Sequence, residues 1–379
     1  MDFIGKLINP GSAAVVLCGA FLICFLGYLL GRISIKGISL GTAGVFLVAL
    51  LFGYLFTLPA LQNIPVISKF FIADASASAM DSYGFIGDIG LVLFVTAVGS
   101  IAGPNFFRNL KKNAKTYLPM GALIIVIGAT VTVCFAMIPG IGSAFASGVL
   151  SGALTSTPAF SAAKEIAGDN AAMVSLGQAI SYPFGVVGVV LFVQVMPKLL
   201  KADMAKERAL IAIPNKPKTA KAADADDAAD AADAPVVEKK SAKKRFSVDG
   251  FGLAAFGIAV VLGILLGSIK IPLTSAGFSG SCFSLGMTGG PLIMALVLAH
   301  FGHIGPISLK IDDKLLKVFR EFGLMLFLIG AGVEGGVQLV EQIQNSQYGL
   351  MIVLYGFIAG VIITIIPMVV GYIFARKVC

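Results

Sequence analysis

The chain has 379 residues, 57% of them hydrophobic and 13% charged, with a mean hydropathy of +0.94. Soluble domains carry about a quarter charged residues, so this composition excludes an ordinary soluble domain, a disordered chain and a secreted scaffold, and predicts an all-α integral membrane protein. The net charge of +8 marks positively charged membrane loops rather than nucleic-acid binding, because the basic residues gather between apolar stretches.

In chain order, apolar runs near the roughly 20 residues that a bilayer helix needs predict spans at about 12–31, 40–58, 85–103, 117–138 and 174–197, then at about 249–268, 283–300, 320–337 and 349–374. The first run has only Lys6 as an upstream cation and no convincing cleavage site, so it is expected to be a retained span rather than a signal peptide. Residues 140–163 are apolar but rich in Gly, Ser and Thr, which predicts a broken or re-entrant element. If that element is re-entrant and the N-terminus lies outside, the loops at 32–36, 108–115, 198–246 and 301–320 share one face with the C-terminus. That face then holds 24 of the 28 Lys and Arg residues, and the positive-inside rule makes it cytoplasmic, in a bacterial inner membrane. The loop 198–246 contains the run AADADDAADAADAP and almost no large apolar side chains. It is expected to be a disordered cytoplasmic linker between a first transmembrane repeat, 1–197, and a second, 247–379.

The halves match in three places, in the same order. Leu26 to Ile33 resembles Leu262 to Ile269, and Ser39-Leu40-Gly41 with Gly44 resembles Ser284-Leu285-Gly286 with Gly289. Gly90-Leu91-Val92-Leu93-Phe94 resembles Gly323-Leu324-Met325-Leu326-Phe327, after which Gly99 and Gly103 align with Gly332 and Gly336. With the charge pattern, this predicts repeats of inverted topology, a transporter signature. The 233-residue offset places the second copy of the broken element past Cys379. The second repeat is therefore expected to be incomplete, and to be completed by a small membrane subunit or a second copy of the chain.

The run Gly148 to Ala159 carries Thr155-Ser156-Thr157-Pro158. Pro158 lacks an amide donor and disfavours helix just before it, so unwinding is expected around Thr155 to Thr157. Ser181-Tyr182-Pro183-Phe184-Gly185 predicts a second break in the next span, and Gly103-Pro104 a third beside Asn105. The candidate substrate-binding residues are Thr155, Ser156, Thr157, Pro158, Gln178, Ser181, Tyr182, Pro183 and Asn105, with Ser156 and Thr157 hydroxyls expected to hold a carboxylate. Asp88 and Glu334, as carboxylates within spans, are coupling-ion candidates.

No P-loop, Ser-His-Asp arrangement or paired catalytic carboxylates occur. The five cysteines are scattered, and His300 and His303 have no Cys or Glu beside them to complete a metal site. Neither an enzyme nor a cofactor or metal is expected, and secondary transport is favoured.

The GALTSTPA run, SYPFG, the two GLxLFxxxxGxxxG runs and Ser284 to Pro291 together resemble the aspartate:alanine exchanger (AspT-like) family over nearly the whole chain outside the linker. The resemblance implies a secondary exchanger of small amino acids or carboxylates, dimeric and elevator-like. Many members carry soluble regulatory domains between the halves, where this chain has only the linker. The rival reading is a non-transporting scaffold or regulatory subunit, and a channel is a third.

Overall fold

The computed structural model describes residues 13–35, 38–39, 41–58, 77–200, 248–272, 277, 282–345 and 350–378. The linker expected at 198–246 lies almost wholly outside them, as do Lys6 and Lys69. The first half comprises α1 (Ala13–Arg32), a hairpin of β1 (Ser34–Ile35) and β2 (Ile38–Ser39), α2 (Ala43–Phe56), α3 (Ala77–Ala136), α4 (Ser143–Ala153), α5 (Thr157–Ala167) and α6 (Ala171–Leu199). The second comprises α7 (Leu253–Gly267), a hairpin of β3 (Ile271–Pro272) and β4 (Cys282–Phe283), α8 (Gly286–Phe301), a hairpin of β5 (His303–Ile304) and β6 (Ile307–Ser308), α9 (Asp313–Asn345) and α10 (Leu350–Val378).

Among the described residues, five helical stretches are long and apolar enough to cross a membrane, within α1, α6 and α10 and twice within α3. Phe25, Ile125, Val126 and Leu265 lie on outer surfaces, each 61% exposed. Such apolar side chains belong against lipid rather than water. Three expected spans are shorter than the sequence suggested. α2, α7 and α8 have 14, 15 and 16 residues, about 21–24 Å at 1.5 Å per residue, less than the ~30 Å hydrocarbon core. Hydropathy alone could not mark their ends, because the hairpins and the left-handed Gly41, Gly252 and Gly286 that trim them are themselves flanked by apolar residues.

The loop expected at 108–115 is helical, and α3 runs unbroken for 60 residues. Its basic stretch is built of Lys, Arg, Asn, Leu and Ala, mostly good helix formers with no glycine, so charge interrupts the apolar run without interrupting the backbone. A straight helix of this length would reach about 90 Å. Pro104 and Pro119 flank the basic stretch, and each removes one backbone hydrogen bond, the usual origin of a bend.

Each half begins helix, hairpin, helix and goes on to a long helix, with the further hairpin β5–β6 before it in the second half, and several contacts match. A Cβ on Gly31 would run into the Gly41 carbonyl, and one on Gly267 into that of Gly286. Where α3 crosses α9, Gly90 lies against the Gly323 carbonyl, the Phe327 amide and Leu326, while Gly323 lies against the Gly90 carbonyl, the Phe94 amide and Leu93. Gly99 and Gly103 of α3 then pack on α8, and Gly332 and Gly336 of α9 pack on α2. One pairing shifts by a residue: Gly290, not Gly289, is the counterpart of Gly44. Gly44 packs on Gly27 and Gly31, and Gly290 on Gly263 and Gly267, whereas Gly289 meets only Leu285.

Two principal apolar clusters result. One joins α1, α2, the first part of α3 and α9 around Ile23, Val45, Ile329 and Val333. The other joins α4, α6 and α10 around Phe145, Val149, Leu176 and Ile363.

At the start of α7 the Asp249 carboxylate accepts hydrogen bonds from the amides of Phe251 (2.9 Å), Gly252, Leu253 (3.0 Å) and Ala254 (2.6 Å). These bonds, that from Ala254 foremost, hold its carboxyl below the ordinary carboxylate range. A folded value below the unfolded one, near 3.9, stabilises fully above that pH, and the contribution is lost as pH falls through the folded value. Thermal melts of Asp249→Asn should therefore show a shallower acid-side decline than wild type below about pH 4, and a lower melting temperature at neutral pH.

Candidate functional site

The break expected near Thr155 is present, and local hydrogen bonding explains it. The Ser156 amide donates to the Ser151 carbonyl (2.8 Å) and the Thr155 amide to Gly152 (2.9 Å), the paired bonds of a Schellman helix end. Thr155 occupies the left-handed position of that motif, with φ +50°, the one positive φ among described residues other than glycine. A β-branched residue there costs about 1–2 kcal/mol. Thr155→Gly should accordingly raise stability by about 1 kcal/mol, measured as the midpoint shift of a thermal melt.

Ser156 is the N-cap of α5, its Oγ accepting from the Ala159 amide at 3.4 Å. That bond uses the Ser156 oxygen as acceptor and does not engage its O–H as a donor. Thr157 and Pro158 form the first turn of α5, where a missing amide donor costs nothing; their side chains lie outside the described residues.

The breaks expected at 181–185 and at Gly103-Pro104 are absent. α6 is continuous through Pro183 and α3 through Pro104. A proline forfeits one hydrogen bond, and close packing on neighbouring helices compensates. Gly152 sits against Ser181 Oγ, Gly185 lies against the carbonyls of Gly152 and Ala153, and Ser181 donates to the Gly177 carbonyl at 2.8 Å. Ser181 is fully buried at this α4–α6 contact.

A cavity of about 30 Å³ lies where α5 and α6 meet α2 and α9, with room for a water or two. Its polar lining comes from Ser175, Gln178, Tyr182 and Glu334, and Phe46 and Phe160 supply aromatic walls. Ser175 is 4% exposed, and its buried Oγ has no hydrogen-bond partner, an unsatisfied group of the kind that costs about 1–3 kcal/mol unless something fills it. Gln178 Oε1 lies 3.5 Å from Ser151 Oγ. Tyr182 packs on Phe46 with ring centroids 4.5 Å apart. Glu334 pairs with Lys164 of α5 at 3.4 Å, and the Lys164 ammonium also lies 5.2 Å from the centre of the Phe160 ring.

Of the sequence candidates, Gln178, Tyr182 and Glu334 converge on this cavity. Asp88 does not line it, but stands on α3 within Coulombic reach of Glu334 and Lys164. Asn105 lies elsewhere, near the contact of Gly103 with Ala299 and His300 of α8. Ser175, Phe160 and Lys164 were missed. The signal for Ser175 was its spacing of three and seven residues from Gln178 and Tyr182, one face of a helix; for Lys164 it was a lone cation inside an apolar segment.

A family model described as Predicted Permease Membrane Region matches residues 19–198 and 255–378, leaving the linker unmatched. An uncharacterized transporter of Bacteroides fragilis is 26% identical, with 94% of this chain and 86% of the relative aligned. One of Rhodopirellula baltica is 27% identical over 96% of this chain and 87% of its own length. An uncharacterized transporter of Desulfotalea psychrophila reaches 34% identity, over 49% of this chain and 30% of its own. No solved structure matches.

Proposed function

The chain belongs to this permease family, and we propose that it works as a secondary exchanger of small amino acids or carboxylates, by alternating access across a bacterial inner membrane. The observation that carries this reading is the cavity at the seam between the two apolar clusters. There a buried hydroxyl without a partner, a carboxamide and an ion pair converge beside a broken helix. Polar groups at membrane depth are costly and are retained where a polar solute passes.

The exchange of contacts between Gly90 and Gly323 supports an inverted repeat, and the gathering of Lys and Arg in the sequence supports an outside N-terminus. Two such halves give two arrangements of similar energy. At about 30 Å³ the cavity is too small for an amino acid, which fits an occluded, substrate-free state. The α4–α5 hairpin and α6 must then shift against α2 and α9 to admit one.

The test is counterflow into proteoliposomes. Vesicles holding purified protein and loaded with unlabelled L-aspartate, L-alanine or succinate should accumulate the labelled external solute faster than empty vesicles do. Equal uptake with every internal solute would overturn the reading.

A further inference from the structure

We propose that the Lys164–Glu334 ion pair is the lock that keeps the substrate-free carrier from changing state, and that a substrate carboxylate opens it by taking the place of Glu334 on Lys164. This rests on the exchanger reading above and adds the reason why exchange would be obligatory.

The pair bridges the seam. Lys164 stands on α5, which packs with α4 and α6 on the side of one cluster, and Glu334 stands on α9, in the other. Two other contacts across this seam are uncharged. Gly335 faces the Ala179 methyl, and the Tyr182 ring lies tilted on Phe46. The Lys164–Glu334 bond, at 3.4 Å with side chains only 36% and 34% exposed, is charged. Separating it forfeits the attraction between two opposite charges that lie partly out of water.

An empty carrier pays that cost in full. A loaded one does not, because the incoming carboxylate keeps Lys164 paired while the helices part. Lys164 is positioned for the exchange of partners, since the Phe160 ring beneath it holds the ammonium at the cavity rim by a cation–π contact. Glu334 and Phe160 both line the cavity, and Ser175 Oγ and Gln178 offer uncharged hydrogen-bonding groups to the rest of the solute. Asp88, within reach of both charges, is the group that would take up Lys164 if Glu334 were neutralised, so the clean variant removes both carboxylates.

The experiment loads proteoliposomes with labelled L-aspartate, or with whichever of L-alanine and succinate exchanges fastest. Efflux is followed into buffer with and without the same solute outside. Wild type should release label only when external solute is present. Glu334→Gln, and more fully Asp88→Asn/Glu334→Gln, should release it into plain buffer at least tenfold faster than wild type. The charge swap Lys164→Glu/Glu334→Lys should bring that leak back down, a rescue that a merely structural role would not produce. If Glu334→Gln does not fold, Lys164→Gln breaks the same bond, and should leak while binding external solute more weakly. Variants that exchange yet remain strictly dependent on external solute would overturn the lock while leaving the exchanger reading in place. Wild-type protein that exchanges none of the three would overturn both.

Discussion

Replacing Gly90 or Gly323 with Val is expected to cause a large loss of stability. At this crossing each glycine lies against the other's carbonyl and the amide of the residue four further along its partner helix, Phe327 or Phe94. The obstacle is backbone, which cannot rotate away as a side chain would, so α3 and α9 must separate. Overpacking typically costs 1–3 kcal/mol, and a backbone clash at the main helix contact belongs at or beyond the top of that range. Because the two glycines share one contact, the effects should be alike in size and far from additive, the second substitution costing little once the first has parted the helices. Thermal melts and monodispersity in detergent measure both points. Gly257→Ala on α7, where a Cβ meets open space, is the control and should not destabilise. Full stability of Gly90→Val would mean that the crossing is not as close as described.

The largest functional effect is expected from Gln178→Leu. Its side chain nearly matches the original in size, so the 7% exposed position should stay packed and the protein folded. Lost are the carboxamide facing the cavity and its contact with Ser151. A solute that must leave water to enter this site then meets an unanswered polar group, at about 1–3 kcal/mol. Exchange should fall roughly tenfold to a hundredfold, with an unchanged melt separating the effect from misfolding. Gln178→Glu, which keeps a hydrogen-bonding head but adds a negative charge beside Glu334, should discriminate further, losing anionic solutes before neutral ones. Unimpaired exchange by Gln178→Leu would move the solute path away from this cavity.

Much of the site was legible in the sequence because polarity inside an apolar run is conspicuous. Gln178 and Glu334 stood out on that ground and Tyr182 as part of the SYPFG run, and all three line the cavity. The break at Thr155 was legible too, though not for the reason that Pro158 suggested. A Schellman bond pair and the Ser156 cap make it, with Pro158 fitting into the turn that follows. Pro183 and Pro104 misled in the other direction. One proline can end a helix that has little else to hold it, but not one packed closely on both sides of the proline, as α6 is against α4 and α10.

By itself, the sequence determined that this is a helical membrane protein and the order of its apolar segments. Those properties follow from composition and local periodicity, which need no knowledge of distant partners. Only the tertiary structure decided that α3 continues through its basic stretch, that Gly44 answers to Gly290, and that Lys164, 170 residues from Glu334 along the chain, meets it across the seam. Hydropathy reports how much each segment prefers lipid to water. It carries no information about which faces of two remote helices come within 4 Å of each other, and that is where the ion pair and the cavity arise.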